Sequence, residues 1–235
     1  MSVKMLAIVP AFNEEESIEA VIRNIWAVKE YQIDVLVVND CSGDNTSQKC
    51  KDLGIKYIDL PCNLGIGGAM QTGYKYASKN GYDIALQIDG DGQHNPQYIG
   101  QLIQPLAEGK ADMVIGSRYI DKKGYQSTFM RRMGINYFSF LIRLLTGETV
   151  KDPTSGFRAC NKKVIHMFAH RYPQDYPEPE AIVYLKRREF KLTEVSIEMS
   201  QRTGGKSSIN PVKSIYFMIK VSMAIVIDRF RRQIV

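Results

Sequence analysis

Short apolar runs separated by segments of helical periodicity constrain this chain more than any other feature. Met5–Val9, Ile33–Val38, Ile55–Ile58, Ile84–Ile88 and Met113–Ile115 each read as a strand bounded by polar or glycine-bearing loops. Between the first two, Ile18, Val21, Ile22, Ile25 and Trp26 recur at helical spacing and are expected in the core. Asn13 is read as the cap of that helix, with Glu14, Glu15 and Glu16 favourably placed against its dipole. Further helices are expected through Asp52, from Gly65 towards Ser78, and after Pro96. Strand and helix alternating through short loops predict an α/β fold, a mostly parallel sheet covered on both faces.

Open sheets of this kind place ligands at the C-terminal ends of their strands. Two of the predicted strand ends are acidic. Ile33–Val38 runs into Asn39-Asp40-Cys41-Ser42, and Ile84–Ile88 runs into Asp89-Gly90-Asp91-Gly92-Gln93. Two carboxylates two residues apart repel each other unless a positive charge lies between them, and a hard divalent cation with oxygen ligands supplies it. A solvated acidic turn is the competing reading of the same five residues. Gly65-Ile66-Gly67-Gly68 lacks the spacing of a dinucleotide fingerprint and the lysine of a P-loop, so close packing of a helix explains it as well as a ligand does.

After Arg118 the pattern changes. Tyr119 to Arg132 is polar and irregular, Met133 to Leu145 is strongly apolar, and Asp152-Pro153-Thr154-Ser155-Gly156-Phe157-Arg158 reads as a loop entering another strand. Proline-rich Tyr172 to Pro179 is read as a structured turn before a helix near Glu180. Leu192 to Met199 alternates like a strand, Gln201 to Ser208 is a basic glycine-bearing loop, and Pro211 opens a last helix. The formal charge of +6 favours anionic partners. Cys41, Cys50, Cys62 and Cys160 form no Cys-x-x-Cys pair and are expected as reduced thiols in a cytosolic protein, and no leader peptide is expected at the N-terminus.

Val9-Pro10-Ala11-Phe12-Asn13-Glu14-Glu15, Val37-Val38-Asn39-Asp40-Cys41-Ser42, Asp89-Gly90-Asp91 and Asp152 to Arg158 together resemble the family 2 glycosyltransferases of GT-A (Rossmann-like) fold. Within these the chain looks most like the polyprenyl-phosphate sugar synthases. The resemblance runs from Lys4 to Ser208, which sets an expected catalytic domain of residues 1–208 followed by an amphipathic helix in 209–235. Asn39 departs from the aspartate common at that place. The resemblance implies that Pro10, Phe12, Glu14, Asp40 and Ser42 hold the nucleoside, and that Asp89, Asp91 and Gln93 lie at a Mg²⁺ or Mn²⁺ site beside Gly90, with action through the nucleotide as the alternative for Asp89. Ser117 and Arg118 would border the donor sugar and diphosphate. Arg131, Ser155 and Arg158 would face the acceptor phosphate, and Arg202 with Lys206 would close over the reacting phosphates. Asp91, Arg118, Arg131, Arg158 and Arg202 are thus the expected catalytic set. His94 is expected to be a hydrogen-bonding bystander.

The expected reaction is metal-dependent, inverting transfer of a hexose, glucose first, from a nucleotide-diphosphate sugar to a polyprenyl phosphate. An acceptor phosphate is already anionic at neutral pH and needs positive charge rather than a base. A glycan or protein hydroxyl is the alternative acceptor, with Glu178 or Glu180 as base. A nucleotidyltransferase would want a glycine- and lysine-rich first loop in place of Pro10 to Glu14, and a catalytically dead binding subunit would have no need of Asp89, Asp91, Arg158 and Arg202. Nucleic acid is not expected as a partner. Ile215 to Ile227 is about 20 Å long as a helix, short of the roughly 30 Å hydrocarbon core, and Lys220 interrupts it. The last helix is instead expected at an anionic membrane surface on the cytoplasmic face, or against a second subunit in a homo-oligomer.

Overall fold

The computed structural model describes residues 3–121, 129–174, 177–200 and 211–230, with the side chains of 129–131, 211–217 and 228–230 left out. The predicted alternation is present. β1 (Met5–Ala11), α1 (Ile18–Trp26), β2 (Ile33–Asn39), α2 (Thr46–Asp52), β3 (Lys56–Asp59), α3 (Gly65–Lys79) and β4 (Ile84–Gln87) build the first half. A 3₁₀ turn at Pro96–Tyr98 leads into α4 (Ile99–Ala107), then β5 (Met113–Ser117) and α5 (Phe129–Thr146). β6 (Arg158–Asn161), α6 (Lys162–His170), α7 (Pro177–Lys186), β7 (Leu192–Ser196) and α8 (Pro211–Phe230) complete it.

The strands form one seven-stranded sheet in the order β3-β2-β1-β4-β6-β5-β7. Only β6 runs antiparallel to its neighbours, β4 and β5. Side chains alternate across the sheet with the strand period of two. Leu6, Ile8, Leu36 and Val38 enter one core with Tyr74, Phe138, Phe168 and Ile182, from α3, α5, α6 and α7. Ala7, Val9, Val35 and Val37 enter the other with Ile22, Leu102 and Phe157.

Several local expectations need correction. Trp26 is 40% exposed, because the stripe that α1 buries ends at Ile25. Asn13 does not cap α1. It adopts φ +56°, and its Oδ1 accepts the Gly43 N–H at 2.8 Å, so it joins two loops instead. Glu14 to Glu16 lie in the turn before the helix. Pro177 to Glu180 are the first turn of α7 rather than a free-standing turn, since a proline early in a helix forfeits a donor that would be unpaired anyway. β7 is half-buried throughout and does not alternate. Gly67 is a packing residue: its N–H donates to Gln174 O at 3.0 Å, and a Cβ there would lie 2.0 Å from that oxygen.

Candidate active site

β1, β2 and β4 are adjacent and parallel, so Ala11, Asn39 and Gln87 end at one edge. The loops beyond them are tied together by their own backbone. Asp40 N–H donates to Ala11 O at 2.8 Å and Gly90 N–H to Pro10 O at 3.3 Å. Ser17 Oγ bonds both Gly90 O at 2.7 Å and Glu14 Oε2 at 2.8 Å, which makes the nearly buried Glu14 a clasp between the first and fourth strand ends. Asn13 N–H donates to Ser42 Oγ at 2.9 Å, and Ser42 Oγ bonds Asn39 Oδ1. Asp40 Oδ1 accepts the Leu64 N–H at 2.7 Å. Phe12 is left 48% exposed beside this cradle. Pro10, Phe12, Glu14, Asp40, Ser42 and Gly90 are therefore brought to one edge.

Asp89 and Asp91 stand at the centre of that edge, both part-buried. Asp91 Oδ1 accepts the Gln93 N–H at 3.0 Å, which fixes the turn. Asp89 is held from three sides. Its N–H donates to His94 Nδ1 at 3.0 Å, its Oδ1 accepts from Gln87 Nε2 at 3.3 Å, and its Oδ2 lies 3.6 Å from His94 Nε2. His94 is itself stacked on Phe157, with ring centroids 4.9 Å apart and planes at 12°. Because Nδ1 accepts, Nε2 carries the proton and faces the carboxylate. Gly156 completes the setting: a Cβ there would stand 2.9 Å from both Asp89 Oδ2 and Gln87 Nε2.

Two carboxylates and the Gln93 amide are hard oxygen donors of the kind Mg²⁺ and Mn²⁺ take. Among the described residues no group of three or more His, Cys, Asp or Glu is arranged to hold a metal ion by itself. Mg²⁺ is usually held by one or two carboxylates and completed by substrate phosphates.

The segment from Asp152 to Arg158 proves to be a set of struts. Asp152, fully buried, binds Arg118 in a fork, Oδ2 to Nε at 2.7 Å and Oδ1 to Nη2 at 2.8 Å. Burial works against the Arg118 charge, and Asp152 outweighs it, holding the guanidinium charged. Arg158, 2% exposed, donates to Ser155 O at 2.6 Å, Pro153 O at 2.9 Å and Glu178 O at 2.9 Å. Both arginines sit near the site with these donors directed into the protein. Ser117 is buried at the end of β5. Ser155 Oγ is buried without a hydrogen-bond partner among the described residues. Arg131 lies in α5 with its side chain outside the described residues, and Arg202 and Lys206 lie outside them altogether.

The two glutamates of α7 part company. Glu180 lines a cleft of about 450 Å³ with Gln71, His170 and Lys220. Glu178 instead lies within the electrostatic reach of Arg158, Asp89 and Gln87. Burial pushes the Glu178 carboxyl above its ordinary range, Asp89 adds to that, and Arg158 opposes it. Sequence reading made His94 a hydrogen-bonding bystander and assigned no role to Gln87 or, beyond its place in a shared motif, to Asp152. The i, i+2 spacing of Gln87 and Asp89 and the aromatic Phe157 were the available signals.

Asp152→Asn should cost roughly 3–5 kcal/mol by leaving Arg118 as an uncompensated buried charge, a fall in melting temperature of about 10 °C. The double variant Arg118→Met, Asp152→Leu should recover most of that loss in thermal denaturation. A single variant as stable as the parent would contradict the strut.

The glycosyl transferase family 2 model matches residues 6–168. A UDP-N-acetylglucosamine–dolichyl-phosphate N-acetylglucosaminyltransferase of Methanococcus voltae is 31% identical over 94% of this chain and 97% of its own length. The polyprenol monophosphomannose synthase of Mycolicibacterium smegmatis is 28% identical over 69% of this chain and 63% of its own. Among solved structures, glucosyl-3-phosphoglycerate synthase of Mycobacterium tuberculosis, in complex with Mn²⁺, UDP and phosphoglyceric acid, superposes with a TM-score of 0.74. It covers 97% of this chain and 78% of that one at 20% identity, a likeness of GT-A fold. With its acidic turn at the shared strand edge, its sheet order and these matches, the chain belongs to glycosyl transferase family 2.

Proposed function

We propose that this protein transfers a hexose, with inversion and with a divalent metal, from a nucleotide-diphosphate sugar to a polyprenyl phosphate. The observation that carries this reading is the Asp89–Asp91 turn at the edge where β1, β2 and β4 end, in a chain whose relatives act on dolichyl and polyprenyl phosphates. Asp89, Asp91 and Gln93 would hold Mg²⁺ or Mn²⁺, which supplies neutralisation of the charge that develops on the departing diphosphate. Asp40, Ser42, Phe12 and Pro10 receive the nucleoside, with Glu14 holding their loops in place. Arg131, with Arg202 and Lys206, brings the two anions together, and Ser155 offers its free hydroxyl to the acceptor phosphate. Arg118 and Arg158 act as positioning residues through their bonds to Asp152 and to three carbonyls. Glucose is the first donor to test and N-acetylglucosamine the second, the latter because of the Methanococcus relative.

The position of Glu178 favours one other reading, a hydroxyl acceptor with Glu178 as base, because a carboxylate raised by burial is a better proton acceptor. Glu178→Gln separates them. On the phosphate reading it keeps turnover within about threefold and does not lower the melting temperature, because it removes a carboxylate that burial disfavours. Arg131→Ala should then raise the acceptor KM about tenfold with the donor KM unmoved. Collapse of turnover in Glu178→Gln, with donor and acceptor still bound, would establish the hydroxyl reading.

A lipid acceptor requires an approach to the membrane, and two helices support one. Met133, Tyr137, Phe140 and Leu144 are exposed along α5, and Ile219, Met223, Val226 and Ile227 along α8. Tyr137 OH and Ser222 Oγ meet at 2.9 Å, so the two stripes adjoin, while Val221 and Ile225 face the core. Among the described residues no helix is long and apolar enough to cross a membrane. Arg132 and Arg143 flank the α5 stripe, Arg229 belongs to α8, and Arg231 and Arg232 come next in the sequence. Sedimentation with anionic liposomes is expected at low salt, weakened by salt and by removal of 211–235. An intact protein that ignores such liposomes, with the truncation only dissociating an oligomer, would make α8 an assembly element.

A further inference from the structure

Beside the donor cradle lies a pair of thiols, and we infer that Cys41 and Cys62 close into a disulfide that controls binding of the nucleotide sugar. The four cysteines divide by environment. Cys50 and Cys160 are buried, whereas Cys41 and Cys62 are both exposed. Burial pushes the thiols of Cys50 and Cys160 up to about 11 and about 12, which withdraws them from thiolate chemistry.

Cys41 occupies a position where its side chain is a liability. It follows Asp40 directly and adopts φ +60°, a left-handed conformation that glycine takes without strain and cysteine does not. Its Sγ lies 3.9 Å from Pro61 O. The carbon of that carbonyl is bonded to the Cys62 nitrogen, so trans-peptide geometry puts Cys41 Sγ within about 7 Å of Cys62 Cα. The strands that carry the two loops agree with this. β2 and β3 are paired to Asn39 and Asp59, and Leu60 N–H still donates to Asn39 O at 2.9 Å. Paired strands run about 4.8 Å apart, and a disulfide spans Cα separations of about 4.4–6.8 Å. Rotation of two exposed side chains on neighbouring loops brings the sulfurs together.

Asp40 connects the pair to the cradle. Its Oδ1 accepts the Leu64 N–H at 2.7 Å, and its carbonyl accepts from Asn63 Nδ2 at 3.3 Å. A bond between Cys41 and Cys62 draws together the two loops that this clasp joins, and the Asp40 carboxylate moves with them. The effect on donor binding rests on Asp40 as the nucleoside contact; the bond itself does not. The oxidant is a low-molecular-weight disulfide such as oxidised glutathione. The Cys41 thiolate attacks it and releases one thiol, and the Cys62 thiolate then attacks the Cys41 sulfur and releases the second. Two protein thiols and one disulfide thus become one protein disulfide and two small thiols.

The test uses the full chain, reduced or treated with oxidised glutathione, with peptide mass mapping and titration of UDP-glucose and UDP-N-acetylglucosamine. The expected result is a peptide linking Cys41 to Cys62, two hydrogens lighter than its reduced parts. Donor affinity should fall about tenfold on oxidation and return with reductant. Cys41→Gly, which suits the left-handed backbone, and Cys62→Ser should each bind donor equally well before and after oxidation. Separate glutathione adducts on the two cysteines without a linked peptide would overturn the pair. A linked peptide with donor affinity unchanged would overturn its control of the site. A linked peptide in a protein that binds neither UDP sugar even when reduced would uphold the pair and remove these two donors from the proposed function instead.

Discussion

Asp91→Asn is expected to lower turnover at least about a hundredfold while the protein stays folded. Asp91 is part-buried, and its Oδ1 accepts the Gln93 N–H at 3.0 Å. Asparagine keeps that acceptor, so the turn survives and only the charge is lost. With two carboxylates at the turn, removal of one halves the protein's charge towards a divalent ion. A cation that relies on one or two carboxylates plus phosphate oxygens has little else to hold it. The checks are the melting curve, turnover in chelator-treated buffer, and Mn²⁺ titration of turnover. Full turnover of Asp91→Asn in metal-free buffer would contradict the metal site.

Gly156→Ala should be nearly as damaging by a different route. A Cβ at 156 would stand 2.9 Å from Asp89 Oδ2, 2.9 Å from Gln87 Nε2 and 3.1 Å from Asp89 Oδ1. Asp89 cannot step aside freely, because His94 and Gln87 hold it and Phe157 backs the His94 ring. One methyl group therefore displaces the carboxylate, at a cost of about 1–3 kcal/mol in stability and on the order of a hundredfold in turnover. Gly134→Ala is the control. It lies in α5 with nothing within 4 Å of its would-be Cβ among the described residues, and should gain up to about 1 kcal/mol of stability with turnover unchanged. Gly156→Ala with parental metal affinity and turnover would show that Asp89 has more room than the geometry allows.

The sheet was legible because strand and helix periodicities differ and the loops between them are short. The acidic strand ends were legible because carboxylates two residues apart need an explanation wherever they fall. What the sequence concealed were long-range partners. Arg118 and Arg158 were read as facing the donor diphosphate and the acceptor phosphate, and the bonds to Asp152 and to the carbonyls of Pro153, Ser155 and Glu178 were not foreseen. Nothing local marks such pairings, since an arginine that holds a loop and one that holds a phosphate look alike in sequence. Glu178 and Glu180 were equivalent candidates two residues apart; only the turn of α7 sets one under the influence of Asp89 and Arg158 and the other in the cleft beside α8. His94 was read as a hydrogen-bonding bystander, and it accepts the Asp89 N–H at 3.0 Å. Trp26 shows the converse failure, since helical spacing placed it in a core that ends one residue earlier.

The central claim is that the acceptor is a polyprenyl phosphate, and mass analysis of the product tests it most directly. The full chain is incubated with Mn²⁺ or Mg²⁺, a short polyprenyl phosphate, and a panel of nucleotide sugars that includes UDP-glucose, UDP-N-acetylglucosamine and a GDP-mannose arm. The account predicts a lipid product heavier by one hexose or one N-acetylhexosamine, with the phosphate retained between sugar and lipid and none formed in chelator. An unchanged polyprenyl phosphate, with sugar appearing on a glycan or protein hydroxyl in the same reaction, would contradict it.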